Sequence, residues 1–411
     1  MTALDPQRTI SELKELRTLT GDADGAHRVA FTPVWAKART WLKEKLGSLP
    51  VEVHQDAAGN LWATLKGKSE KSLVIGGHID SVPNGGWLDG CLGTLSGLEV
   101  LRRIAAEGTP PVTVRLVDWA DEEGARFCRS LFGSSGFSGS LVADEVRNLV
   151  DKQGVKLPDA VKAHGIDLDR ATDAVKEQKN AAAYLELHIE QGPVLLSKDL
   201  PLGVVLGTFG VERHAIKFTG QAAHSGSTPM SQRKDALGGV SKLHLAVREI
   251  AVKHGGVCTV GSVVTKPGIV TSVVAEAEMT LDQRHLDAPV LAAMYKDALD
   301  ASYRIATEEN ITVSWQKLWT IQPFPFNADL INFGDAAIKE VCGLSYRLPS
   351  GPLHDAAEVC RTGIPTVMLF VQSLHGISHN KIEDTKEEHL TMSVKVLDRL
   401  ATRAIEWIQK R

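Results

Sequence analysis

Four short stretches of this chain concentrate imidazoles and carboxylates in spacings that suit divalent-cation chemistry. In Gly76-Gly77-His78-Ile79-Asp80 an aspartate follows a histidine two positions on. There it can accept from the second ring nitrogen and orient the ring as a ligand. Asp89 comes later, in Gly85-Gly86-Trp87-Leu88-Asp89-Gly90. Its flanking glycines permit the tight backbone that a carboxylate bridging two cations needs. Asp118-Trp119-Ala120-Asp121-Glu122-Glu123 crowds acids after an apolar run, which is costly unless positive charge neutralises them. One of the paired glutamates can then ligate while its neighbour serves as general base. Alternation in Glu186-Leu187-His188-Ile189-Glu190 puts three polar side chains on one strand face, and His188 is a candidate ligand. His379 lies in Gly376-Ile377-Ser378-His379-Asn380. Each stretch alone also fits a solvated loop or a polar strand face; it is their joint placement that points to cation-assisted general-base chemistry.

That placement follows from the elements expected around them. Ser72–Gly77, Val112–Val117 and Thr366–Phe370 are short apolar runs, and helical spacing in 94–106 and 386–409 alternates with them. Apolar strands alternating with helices imply a largely parallel sheet covered on both faces. The polar segments leaving such strands line a cleft at their carboxyl ends. Three of the four stretches follow such runs, and the one around His188 is itself read as a strand from its alternation. Residues 209–321 keep a different rhythm: strand, helix, two strands, helix, strand, a βαββαβ unit. The expected organisation is therefore a catalytic domain in two pieces, 1–208 and 322–411, with a smaller α+β domain, 209–321, inserted between them.

With 411 residues and 43% hydrophobic content, the chain can bury a full core in each domain without covalent staples. A net charge of −4 offers no electrostatic reason to expect nucleic acid or an acidic membrane as partner. The five cysteines are scattered and odd in number, as for free thiols in a reducing compartment. No run is long and apolar enough to span a bilayer, and the N-terminal residues lack a signal-type apolar core. A cytoplasmic location is expected.

The stretches GGHIDSVPNGGWLDG, DEEGARF, LELHIEQGPVL, GQAAHSGSTPM with RKDAL, LDQRH, SGPLHDA and GISHN occur in one order between residues 59 and 380. Taken together they closely resemble the di-metal amidohydrolase branch of the M20 metallopeptidase family, which includes N-carbamoyl-L-amino acid hydrolases, β-ureidopropionases and allantoate amidohydrolases. The resemblance implies an α/β catalytic domain with an inserted ferredoxin-like domain that also forms a homodimer contact. It implies two divalent cations per subunit (Zn²⁺ or Mn²⁺, with Co²⁺ or Ni²⁺ compatible), held by His78, Asp89, Glu123, His188 and His379, with Asp89 bridging. Glu122 becomes the general base and Asp80 the group behind His78.

The same resemblance assigns Arg284 to a substrate carboxylate, as a bidentate fork, and His224 to the tetrahedral intermediate in the partner subunit's site. His354 is expected to line the pocket. Two departures fall on substrate contacts: Thr271 stands where relatives often carry Asn, and Gly210-Val211-Glu212 where they often carry Gly-Gln-Arg. A hydroxyl lacks the reach and the donor pair of an amide. The expected reaction is hydrolysis of a linear amide C–N bond in a small carboxylate substrate, foremost an N-carbamoyl amino acid. Allantoate hydrolysis, dipeptidase or aminoacylase action, and a catalytically silent binding homologue are the alternatives.

Overall fold

The structure is a computed structural model and describes residues 4–411. The chain divides into two compact units, one running up to Leu206 together with Phe326–Arg411, the other Gly207–Pro325. The second unit begins two residues before and ends four residues after the expected 209–321. The reason is that Thr208 and Gly207 pair with Phe324 and Pro325 as a short antiparallel ladder.

The first unit is built on β1 (Glu52–Gln55), β2 (Leu61–Leu65), β3 (Ser72–His78), β4 (Thr113–Trp119), β5 (Ala181–Ile189) and β6 (Leu202–Thr208). After the second unit it resumes with the strands Arg347–Ser350 and Thr366–Val371. Within its sheet β4, β3, β5 and Thr366–Val371 are successive parallel neighbours. Antiparallel β2, β1 and β6 extend the two sides. The parallel strands are mostly apolar because both faces are covered: every residue of β3 is buried. Helices α1 (Pro6–Thr20), α2 (Cys91–Ala106) and the C-terminal Glu387–Gln409 bury their apolar faces in this core, with Leu13, Leu95, Leu98, Leu397 and Leu400 fully enclosed. Since α2 starts two residues after Asp89, burying that helix also fixes where Asp89 stands.

The second unit has β7 (Gly210–Thr219), α3 (Ala236–His254), β8 (Val257–Lys266), β9 (Glu276–His285), α4 (Ala288–Glu308) and β10 (Thr312–Ile321). Its antiparallel sheet runs β8-β9-β7-β10. Ile216, Phe218, Val240, Leu243, Met279, Leu281, Met294 and Ile305 form its separate core. Asp235 caps α3 and Asp287 caps α4, each carboxylate accepting from a first-turn N–H. The apolar run at Val273 begins before the strand does. Val273 instead donates to Ala223 O, and β9 opens only at Glu276. No helix among the described residues is long and apolar enough to cross a membrane.

Candidate active site

The carboxyl ends of the parallel strands deliver the first four stretches to one place. His78 is the last residue of β3, the Asp121–Glu123 turn follows β4, His188 is next to last in β5, and His379 sits on the loop after Thr366–Val371. Asp89 Oδ1 lies 3.2 Å from His188 Nε2 and 3.6 Å from His78 Nε2. Its other oxygen is 3.5 Å from His379 Nε2, which is also 3.2 Å from Glu123 Oε2. Two groups able to hold a cation result, His78–Asp89–His188 and Asp89–Glu123–His379, joined through Asp89. The first is buried; in the second His379 is exposed.

The donor atoms fit such cations. The Nε2 atoms of His78 and His188 and one oxygen of Glu123 are buried without a hydrogen-bond partner, a costly state for polar atoms unless they ligate something. The opposite ring nitrogens are engaged. His188 Nδ1 lies 2.9 Å from Ile189 O, and His78 Nδ1 lies 3.2 Å from Asp80 O and 3.4 Å from its carboxylate. Each imidazole therefore presents Nε2 to the site. Asp80 does a second job that its spacing from His78 does not reveal: its two oxygens accept from the backbone N–H groups of Glu122 and Glu123, at 3.3 and 3.2 Å. Gly90 has φ +65°, and a side chain there would collide with the His78 ring.

Charge is out of balance in the protein alone. Burial, reinforced by Asp355, Glu123 and Asp89, pushes the Glu122 carboxyl well above its ordinary range, against the pull of His78. Burial and Asp89 push Glu123 up as well. Asp89 stays ionised although burial opposes it, because His188, His78 and His379 outweigh that cost. The hydrogen bond to Glu123 raises His379 to about 9. Positive ions would relieve the crowded acids and compete with those protons. Glu122 Oε2 stands 3.7 Å from His78 Nε2, beside the cradle and outside both ligand groups. Asp121 and His379 hold left-handed backbone at φ +56° and +55°, an uncommon state for residues other than glycine and one that clusters at functional sites.

Three neighbours of Asp89 escaped the sequence reading. Gln191 Nε2 and Ser378 Oγ each donate to Asp89 Oδ2 at 2.8 Å. Buried Glu383 accepts from Asp89 N at 3.0 Å, and burial with Asp89 raises it to about 7. Gln191 lies within HIEQG and Ser378 within GISHN, so a signal existed; Glu383 had none. Glu190, expected on the face of His188, instead caps the turn at Val194–Leu195. His354 is buried with its ring centroid 4.5 Å from that of His188; burial and the neighbouring His188 hold it well below its ordinary pKa. Cys91 packs as a buried thiol touched by Arg28.

In the second unit, His224 Nδ1 accepts from the N–H groups of Gly226 and Ser227, which leaves the proton of the neutral ring on exposed Nε2. Thr271 lies beside it, its carbonyl accepting from Ser225 N. Asp282 grips Arg284 through Nε at 2.7 Å and Nη2 at 3.2 Å, and also accepts from Arg213. These residues are not brought together within one chain. The Thr271–His224 loops adjoin the Glu276 end of β9, and Arg284 lies eight residues further along that strand, about 27 Å at the extended rise.

A parallel-sheet unit with paired cation cradles at its strand ends is the frame of a metal-dependent hydrolase. Residues 74–403 match peptidase family M20/M25/M40, and the chain belongs to that family, whose enzymes are metal-dependent hydrolases of C–N bonds. It is 34% identical to an allantoate amidohydrolase of Escherichia coli (strain K12), the alignment covering 91% of this chain and 92% of that one. Identity is 33% to an N-carbamoyl-L-amino acid amidohydrolase of Geobacillus stearothermophilus, with the same coverage. An amidase of the hydantoinase/carbamoylase family from Burkholderia multivorans superposes with a TM-score of 0.87 at 29% identity over 98% of each chain.

Proposed function

We propose that the protein hydrolyses the linear amide bond of an N-carbamoyl amino acid, releasing the amino acid and a carbamate that decays to CO2 and ammonia. The observation that carries this is the sharing of Asp89 between two cradles with Glu122 held outside both. His78, Asp89, Glu123, His188 and His379 hold two divalent cations, which when bound supply Lewis acidity toward the scissile carbonyl and acidify an adjacent water. Asp80 sets the Glu122–Glu123 turn and steadies His78. Glu122 takes the proton of the attacking water and returns it to the departing nitrogen as the C–N bond breaks.

Arg284, its plane fixed by Asp282, binds the substrate carboxylate, and the exposed Nε2–H of His224 donates to the developing oxyanion. The distance between His224 and Arg284 along β9 supports a homodimer in which the two come from different subunits. Thr271 then belongs with the partner's His224, and His354 lines the pocket beside His188. Allantoate is the second reading, supported by the nearly equal likeness to that amidohydrolase; it also carries a carboxylate and ureido nitrogen. Protein reconstituted with Mn²⁺ or Zn²⁺ and assayed on N-carbamoyl amino acids, allantoate and dipeptides tests the proposal. Turnover of dipeptides alone would refute it.

A further inference from the structure

The loop that carries His379 is exposed at His379, Asn380 and Lys381, yet Glu383, four residues on, is only 2% exposed. A buried carboxylate is costly unless hydrogen bonds or a cation compensate it, and Glu383 forms no ion pair among the described residues. Its hydrogen bonds all run to the neighbourhood of the cradle. Oε1 accepts from Leu88 N at 3.2 Å and Asp89 N at 3.0 Å. Oε2 pairs with Ser378 Oγ at 2.8 Å, and the same hydroxyl lies 2.8 Å from Asp89 Oδ2. Space has been cleared for this: a side chain at Gly86 would collide with the Glu383 carboxylate. The base of the loop is closed by Thr385 Oγ1 on Gln372 O and by Leu374 N on Asp384 O. Glu383 is thus a clamp between two segments nearly 300 residues apart, one ending in Asp89 and the other beginning at Ser378-His379.

We infer that Glu383 is a positioning residue that sets the separation of Asp89 from His379, and so the shape of the more open cation cradle. This rests on the metal reading given above. Alanine at 383 releases both backbone N–H groups and Ser378. A glutamine amide can keep them, since its oxygen accepts from Leu88 and Asp89 and its NH2 donates to Ser378 Oγ.

The test measures Zn²⁺ binding by calorimetry and metal content after dialysis, with the melting temperature of each metal-free variant as the control for folding. Glu383→Ala is expected to weaken metal binding by about 10–100-fold, the range for a lost group behind a ligand, with metal content falling first by one equivalent. Glu383→Gln should stay within a few-fold of the wild type. Should the alanine variant not fold, Ser378→Ala carries the test and is expected to weaken binding about tenfold. Wild-type affinity in a folded Glu383→Ala or Ser378→Ala protein overturns the inference, and so does a glutamine variant as weak as the alanine one. A wild-type protein that takes up no metal overturns the underlying reading, and this inference with it.

Discussion

The two units hold their candidate residues in opposite ways. In the parallel-sheet unit His78, Asp89, His188 and Glu122 are 0–8% exposed, and each is braced by strands, a buried helix or hydrogen bonds from distant segments. In the second unit His224 is exposed, its ring steadied by two N–H groups of its own turn. The Arg284 side chain keeps 29% of its surface and leans on Asp282, two residues away. Ligands must be desolvated and oriented before a cation arrives, because a mobile or hydrated ligand gives up much of its affinity. Groups that meet the substrate need an accessible polar end. Damage to the first set should therefore cost metal, or chemistry at the metal, and damage to the second should cost turnover or substrate affinity with metal intact.

The largest effect should come from His188→Ala, which opens the buried cradle. Metal uptake at that cradle and turnover should both be lost, and metal content retained at the wild-type level would break the contrast. Next is Glu122→Gln. Turnover should fall by about 10²–10⁴-fold, the usual share of a general base, while metal content stays near wild type.

His224→Ala should lower kcat by about 10²–10³-fold, as for one oxyanion donor, again with metal retained. Mixing this variant with Glu122→Gln sharpens the comparison. If subunits exchange at random, half the dimers are mixed and each carries one intact site, so activity should recover to about a quarter of wild type. No recovery on demonstrated exchange would place His224 and Glu122 of one chain in one site. The smallest effect is expected from Arg284→Lys, which keeps the charge and loses the fork. KM should rise roughly 10–100-fold, the worth of about 1.5–3 kcal/mol for a charged hydrogen bond, with kcat little changed.

The order of elements was readable from local pattern, whereas the full set of cradle residues came from the family resemblance of the motifs taken together. Apolar runs followed by polar turns placed His78, Glu122, Glu123 and His379 at strand ends, where a parallel sheet gathers them, and alternation placed His188 on a strand. Alternation misassigned Glu190, because a side chain at a strand's end can turn away to cap the next segment. Val273 is apolar yet stands ahead of β9, hydrogen-bonded to the His224 loop.

Which residue types could hold cations, and roughly where each lies along its strand, depends on side-chain chemistry and short periods and was therefore legible before folding. Packing, and nothing in the local spacing, reveals that Asp80 organises the glutamate turn and that Glu383 ties Asp89 to the His379 loop from 294 residues away. It also decided that His224 and Arg284 lie at opposite ends of one strand. Contacts of that range leave no trace in local spacing: they are set by how buried strands and helices pack, and any residue of suitable shape and charge could have been delivered to the same spot.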